Sequence, residues 1–168
     1  MSVNLSARQF RHPSLYKEIS DILQSTGLEA ETLILEITET VMMKGDERRI
    51  DQLRKLKTLG IKLAVDDFGT GDSSLSYLSR FPVDYLKIDR PFVGDLDKKP
   101  EARKLVSGIL DLPSLLRLRV IAEGIETAGQ LEDLQEMGRA TTSPARFRPR
   151  ISRYYVTTSP RRRRRSDT

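Results

Sequence analysis

Five short apolar segments recur along the first 126 residues, and segments with helical periodicity separate them. The apolar segments have the length of buried strands, while the segments between them carry hydrophobic residues three or four positions apart. The predicted strands cover residues 2–6, 33–38, 61–68, 85–89 and 120–126. The predicted helices cover residues 15–23, 46–59, 74–79 and 102–110. This alternation, at about 30 residues per unit, predicts βα units and a parallel sheet.

The predicted strands end in polar residues of the kind found in functional sites. These residues are Asn4, Glu36, Glu39, Asp66, Asp67, Lys87, Asp89, Glu123 and Glu126. A TIM barrel assembles its site from the C-terminal ends of several strands, whereas a doubly wound sheet concentrates its site at one switch point. The pattern therefore favours a partial TIM-type (β/α) barrel of about five βα units. A full barrel needs eight units and typically about 250 residues.

Alternation along each strand sorts these polar residues by face. Glu36 and Lys87 point away from the apolar face of their strands, and the adjacent Asp66 and Asp67 must point in different directions. Several carboxylates, an amide and an ammonium group could thus surround one centre. Oxygen ligands suit Mg²⁺ or Mn²⁺ better than Zn²⁺, and divalent ions held by carboxylates are a known means of phosphodiester hydrolysis. A single acid at a strand end is more commonly a helix cap, so the prediction depends on the whole set.

Four longer segments resemble the signature blocks of the EAL-domain phosphodiesterases, in the family's order and close to its spacing. They are NLSARQF, LILEITET, LAVDDFGTGDSSLSYLSRFPVDYLKIDRPFV and VIAEGIETAGQLEDLQEMG. The resemblance covers residues 1–138. It implies a modified TIM barrel that binds cyclic di-GMP and hydrolyses it to the linear dinucleotide, using two Mg²⁺ or Mn²⁺ ions.

The resemblance also implies a role for each matching residue. The implied metal ligands are Asn4, Glu36, Asp66, Asp67 and Glu123. Glu123, Lys87 and Asp67 are the implied catalytic residues: Glu123 as metal ligand or general base, and the other two near the attacking water. Glu39 resembles the glutamate that braces the loop after Asp67, a loop that the family links to homodimer formation. Glu126 is an implied carboxylate behind the site.

The resemblance stops at both ends of the chain. The family's first-strand block, which carries a Glu metal ligand, is absent, and after Gly138 the expected closing strands are replaced by a different sequence. We therefore expect residues 1–138 to be a partial EAL phosphodiesterase domain, truncated at both ends, with Ile34 and Ala64 exposed on its inner face. Two functions remain open: a cyclic di-GMP hydrolase that is impaired in this chain, or a degenerate, non-catalytic module for weak ligand or protein contacts.

Charge is distributed unevenly along the chain. The formal net charge is +5, but residues 139–168 alone carry ten Arg residues against a single acid. Abundant Arg, Pro, Ser and Thr without Lys favours a low-complexity tail, either disordered or the product of a frameshift. A basic arm that binds nucleic acid is the less favoured interpretation. The absence of Cys fits a cytoplasmic protein, and no apolar stretch approaches the roughly 18–20 residues of a membrane span.

Overall fold

The structure, a computed structural model, describes residues 1–43, 47–68, 78–96, 99–116, 118–141 and 147–149. Six strands form one parallel sheet in these ranges. They are β1 (Ser2–Asn4), β2 (Ile34–Thr38), β3 (Lys62–Asp66), β4 (Tyr85–Ile88), β5 (Arg119–Ala122) and β6 (Phe147–Pro149). The order of strands in the sheet follows the order in the sequence. This order is that of a barrel wall, because a doubly wound sheet reverses direction at its switch point, and it confirms the predicted TIM-type arrangement.

All five predicted strands are present, and a sixth was not predicted. Strand β6 lies within the segment 139–168 and pairs with β5, from Val120 with Phe147 to Ala122 with Pro149. The helix that precedes it also continues beyond Gly138, to Thr141. The rest of the segment 139–168, for which a disordered or frameshifted tail is predicted, namely residues 142–146 and 150–168, lies outside the described residues.

The helices lie between the strands, as the periodicity predicts. Those described are α1 (Ala7–Phe10), α2 (Leu15–Thr26), α3 (Glu39–Met43), α4 (Glu47–Lys57), α5 (Arg90–Val93), α6 (Pro100–Leu116) and α7 (Ala128–Thr141), with a 3₁₀ turn at Ala30–Thr32. Helices α2, α4 and α6 are the ones predicted at 15–23, 46–59 and 102–110, whereas most of the segment 74–79 lies outside the described residues. None of the helices in the described ranges is long and apolar enough to cross a bilayer.

One face of the sheet forms the hydrophobic core with the helices. Its buried aliphatic residues on β2 to β5 are Leu35, Ile37, Leu63, Val65, Leu86, Ile88, Val120 and Ala122. Helix α4 contributes Ile50, Leu53 and Leu56 to the same cluster, and these residues lie on the single stripe that the sequence predicts. Burying one such side chain stabilises the fold by about 1.5–3 kcal/mol. The core on this face leaves the other face of each strand for polar residues.

The prediction that Ile34 and Ala64 are exposed is wrong. Ala64 is completely buried and Ile34 is half-buried. In the sheet, Ala64 lies between Glu36 on β2 and Tyr85 on β4. Because both neighbours are much longer than alanine and share its face, they cover it.

An ion pair joins helix α4 to the N-terminal ends of β3 and β4. The Nζ atom of Lys57 is 2.8 Å from Oδ1 and 2.6 Å from Oδ2 of Asp84. Oδ2 of Asp84 also accepts a hydrogen bond from the backbone N–H of Leu63, at 2.8 Å. Asp84 directly precedes β4, so this pair lies at the end of the sheet opposite to the polar strand ends.

Candidate active site

The register of the sheet places most of the predicted site residues on one face. Glu36 pairs with Ala64, and Asp66 follows Ala64 two residues later on the same face. Lys87 lies two residues beyond the partner of Ala64 on β4. Glu123 follows β5, two residues beyond the partner of Lys87. The C-terminal ends of four parallel strands therefore direct polar side chains to one region.

The ammonium group of Lys87 joins three carboxylates in this region. Its Nζ atom is 2.6 Å from Oε2 of Glu36, 2.8 Å from Oδ1 of Asp66 and 3.2 Å from Oε1 of Glu123. The side chains of Lys87 and Glu36 are only 3% and 6% exposed. A single buried charge would be strongly destabilising, so the ammonium and the carboxylates depend on one another for stabilisation.

The surroundings of Lys87 keep it positively charged. Burial by itself lowers the pKa of an ammonium group, because it disfavours the charged form. Hydrogen bonds to Asp66 and Glu36 and the negative charges of Asp66 and Glu123 outweigh burial, and they raise the pKa of Lys87 well above its ordinary value. The site therefore contains a fixed positive charge at neutral pH.

The donor atoms of the site have the chemistry that a divalent cation requires. Oε2 of Glu36 contacts Lys87, whereas Oε1 is buried and accepts no hydrogen bond from any described residue. A buried acceptor without a donor is costly, and coordination of a cation would satisfy it. Among the described residues, no three acidic, His or Cys side chains are already arranged around a metal position. The carboxylates that would hold the ion are instead directed at Lys87.

Asp67 lies at the end of β3 in a rare backbone conformation. Its φ of 57° is in the left-handed region, which a residue other than glycine adopts at an energetic cost. Burial, followed by the negative charges of Asp66 and Asp89, raises the pKa of Asp67, and the charge of Lys87 opposes this rise. The structure thus places Asp67 within electrostatic range of the cluster but turns its backbone out of the strand.

Asn4 lies beside the cluster, whereas Glu39 lies on the core side of the sheet. Asn4 is the sheet partner of Glu36, and it is exposed to solvent. Glu39 begins α3, is buried, and lines a small apolar pocket together with Val65 and Phe68. The loop that Glu39 was predicted to brace begins directly after Phe68, and residues 69–77 of this loop lie outside the described residues.

Glu126 forms an ion pair with Arg90 at the start of α5. Gly124, two residues before Glu126, has a φ of 71°. A Cβ atom at Gly124 would come within 2.6 Å of Cβ of Arg90 and 3.1 Å of its Cα. The turn after Glu123 is therefore packed against Arg90. No pattern in the sequence indicates this contact.

The side chain of Gln130 also fixes this turn. Its Oε1 atom accepts hydrogen bonds from the backbone N–H groups of Glu126 and Thr127, at 2.8 and 3.1 Å. In return, the backbone N–H of Gln130 donates to Oγ1 of Thr127 at 3.1 Å. This is a capping arrangement, and its signature, Thr-x-x-Gln before a helix, could have been found in the sequence. The caps and the Arg90 contact hold the backbone that carries Glu123.

Strands in sequence order, with acidic residues and a lysine at their C-terminal ends, define a TIM-barrel-type protein with a polar site at the top of the sheet. The family model for the EAL domain matches residues 1–141, and the chain belongs to this family.

An uncharacterized signaling protein of Caulobacter vibrioides is 43% identical over 151 residues, which is 86% of this chain and 19% of that protein. The bifunctional diguanylate cyclase/cyclic di-GMP phosphodiesterase MucR of Pseudomonas aeruginosa is 41% identical over 138 residues, which is 82% of this chain and 20% of MucR.

Solved structures show the same fold. The MucR phosphodiesterase in complex with c-di-GMP has a TM-score of 0.77 and 42% identity, covering 82% of this chain and 56% of that one. The manganese/cy-diGMP complex of BlrP1 from Klebsiella pneumoniae has a TM-score of 0.74 and 33% identity, covering 82% of this chain and 35% of that one. The chain thus spans about a fifth of the length of the curated relatives that it matches.

Proposed function

We propose that the described cluster is part of the active site of a cyclic di-GMP phosphodiesterase, which hydrolyses the cyclic dinucleotide to its linear form. The observation that carries this proposal is the convergence of Glu36, Asp66 and Glu123 on Lys87. The carboxylates outnumber the one ammonium group, so they suit a phosphodiester substrate by holding divalent cations, while the ammonium can add to the stabilisation of the negative charge that develops during hydrolysis. Relatives named as cyclic di-GMP phosphodiesterases support this choice of substrate.

We propose Mg²⁺ or Mn²⁺ as the cofactor of this site. Glu36, Asp66, Asp67 and Glu123, with the amide oxygen of Asn4, would hold the ions, because these hard oxygen donors match the preferences of both. When bound, such ions activate water and neutralise phosphate charge. The manganese and calcium complexes of Klebsiella pneumoniae BlrP1 with cy-diGMP support the use of divalent cations.

Three residues of the chain would have distinct roles in hydrolysis. Lys87 keeps its proton, so it orients the substrate phosphate as a fixed cation rather than transferring a proton. Asp67 lies within electrostatic range of Asp66 and Lys87, so it would help to hold an ion near the attacking water. Glu123 follows a strand end, in a turn that Gln130 holds in place, so its carboxylate can hold or accept a proton at a defined position.

We further propose that hydrolysis is impaired in the 168-residue polypeptide when it acts alone. In the described sheet, β1 pairs only with β2 and β6 only with β5, so the wall of the site is open. Catalysis requires groups held to about half an ångström, and an open wall relaxes that constraint. The alternative, a non-catalytic module, predicts binding of cyclic di-GMP without turnover. Homodimer formation through the loop after Asp67 is also a proposal.

A chimera tests whether the cluster can catalyse hydrolysis when the strands that close the barrel are supplied by another protein. Residues 1–141 would replace the matching segment of the EAL domain of Pseudomonas aeruginosa MucR, and turnover of cyclic di-GMP would be measured with Mg²⁺ or Mn²⁺. We expect turnover in the chimera and its loss in a Lys87→Ala, Glu123→Ala chimera, while the 168-residue polypeptide shows no turnover above the same double variant. A folded chimera that binds cyclic di-GMP without hydrolysing it would favour the non-catalytic module instead.

A further inference from the structure

Lys87 contributes the only ammonium group that the described residues place among the carboxylates of the site. Glu36, Asp66 and Glu123 come from the ends of three different strands, β2, β3 and β5, and each has one oxygen atom within 3.2 Å of Nζ. The ammonium group therefore links strand ends that would otherwise repel one another. It acts as a cation that belongs to the chain itself.

The oxygen atoms that contact Lys87 are on the same carboxylates that would hold a divalent cation. Oε2 of Glu36 and Oδ1 of Asp66 are directed at Nζ, at 2.6 and 2.8 Å. A dication bound by these groups would lie a few ångströms from a full positive charge that is almost completely buried. It would have to share or displace these contacts, and the two cations would repel each other.

We propose that Lys87 competes with the divalent cation for Glu36 and Asp66, so that it stabilises the fold by neutralising these carboxylates and at the same time weakens metal binding. The metal affinity of the chain then depends on how strongly the carboxylates bind the ammonium of Lys87 relative to the divalent cation. This inference rests on the proposed function only for the identification of the cluster as the metal site.

The competition predicts that one substitution has two opposite effects. Lys87→Met introduces a side chain that is unbranched and only one atom shorter than lysine but carries no charge, so Glu36, Asp66 and Glu123 lose their common partner. After treatment with a chelator, the variant should unfold at a lower temperature than the wild type, because buried carboxylates then repel one another. Mn²⁺ should nevertheless bind the variant at least about tenfold more tightly, since the repulsion between the dication and a buried positive charge nearby is removed.

Lys57 provides a matched control. It also forms a close ion pair with a carboxylate, at 2.6 and 2.8 Å from Asp84, but it does so at the opposite end of the strands. Lys57→Met removes one positive charge, as Lys87→Met does, but it breaks a single ion pair and leaves the site untouched. It should lower the unfolding temperature and leave the Mn²⁺ affinity unchanged.

The experiment measures Mn²⁺ binding by isothermal titration calorimetry and thermal unfolding by circular dichroism, on the full 168-residue chain and both variants. Tighter binding in Lys87→Met alone supports competition. Equal or weaker binding in Lys87→Met overturns it, and so does an equal gain in Lys57→Met. If Lys87→Met does not fold, Lys87→Gln is titrated in its place and the same criteria apply.

Failure of the proposed function gives a different result. If the MucR chimera lacks turnover but Lys87→Met binds Mn²⁺ more tightly than the wild type, only the hydrolase proposal fails. If the wild type binds Mn²⁺ and Lys87→Met shows no gain, only the competition fails. If neither protein binds Mn²⁺, both the metal site and the competition are overturned.

Discussion

Asp66 and Asp67 are neighbours in the sequence, but they experience different electrostatic surroundings. Oδ1 of Asp66 lies 2.8 Å from the ammonium of Lys87, which stabilises its negative charge. Asp67 has a left-handed backbone, and burial together with the charges of Asp66 and Asp89 raises its pKa. The same chemical group therefore stabilises the fold at one position and destabilises it at the next.

Replacing Asp67 with Asn should stabilise the protein at neutral pH by a few tenths of a kcal/mol to about 1 kcal/mol. Because the folded-state pKa of Asp67 is raised above 3.8, its charge lowers stability above that folded-state pKa, and the cost disappears as the pH falls. Asn also tolerates the left-handed backbone. Urea unfolding should show a gain at neutral pH that shrinks on acidification.

Asp66→Asn is the control for this prediction, and it should have the opposite sign. It removes a carboxylate that pairs with buried Lys87, so it should destabilise the protein at neutral pH. If Asp67→Asn is less stable than the wild type at neutral pH, the charge of Asp67 does not carry the cost that its raised pKa indicates.

At the scale of elements, the connection from β5 to α7 determines where Glu123 lies. Three contacts define its path: the Arg90–Glu126 ion pair, the packing of Gly124 on Arg90, and the caps made by Gln130. Two of them reach across to α5, which follows β4. The connections after β4 and β5 therefore pack against each other. Lys87 and Glu123 lie at the strand ends where these two connections begin.

Gly124→Ala should destabilise the protein by about 1–3 kcal/mol, because Ala disfavours a positive φ and its Cβ would overlap Arg90. Gly108 in α6 is a matched site, since a Cβ there meets no atom within 4 Å. Gly108→Ala should stabilise the protein by up to about 1 kcal/mol through helix propensity. Urea unfolding of both variants checks the pair. Equal effects at the two glycines would contradict a specific role for the turn.

The sequence predicted the elements better than the contacts between them. The buried aliphatic stripe of α4 and the five apolar strands could be read directly, because their periodicity is local. The contact of Arg90 with Gly124 could not, because it joins residues 34 positions apart. Strand β6 was missed because its composition, which includes Arg148 and Pro149, is typical of a low-complexity tail rather than of a strand. Because parallel strands end at the same edge of a sheet, the sequence predicts that the acidic residues lie near one another, but not their contacts. The position of Lys87 among them depends on the register of the strands, which the sequence does not give.

At the scale of the whole molecule, the described sheet has two edges. Strand β1 has β2 as its one hydrogen-bonded neighbour in the described ranges, and β6 has β5. Edge strands offer unpaired backbone groups to other chains. The edge at β1 also carries an exposed apolar side chain, Val3, which is 41% exposed. An edge of this kind favours association between chains.

We expect Val3→Lys to reduce the self-association of the 168-residue polypeptide, because a charged residue on an edge strand opposes pairing with another strand. Sedimentation velocity over a range of concentrations should show a shift of the average mass toward the 19.1 kDa of a single chain. Ile22→Lys is the matched control, since Ile22 is an exposed apolar residue that lies on helix α2 rather than at a sheet edge. An equal shift in average mass for both variants would show that exposed apolar surface in general, and not the sheet edge, causes the association. A wild-type protein that stays at the mass of one chain at every concentration would show that the edge at β1 does not recruit a second strand.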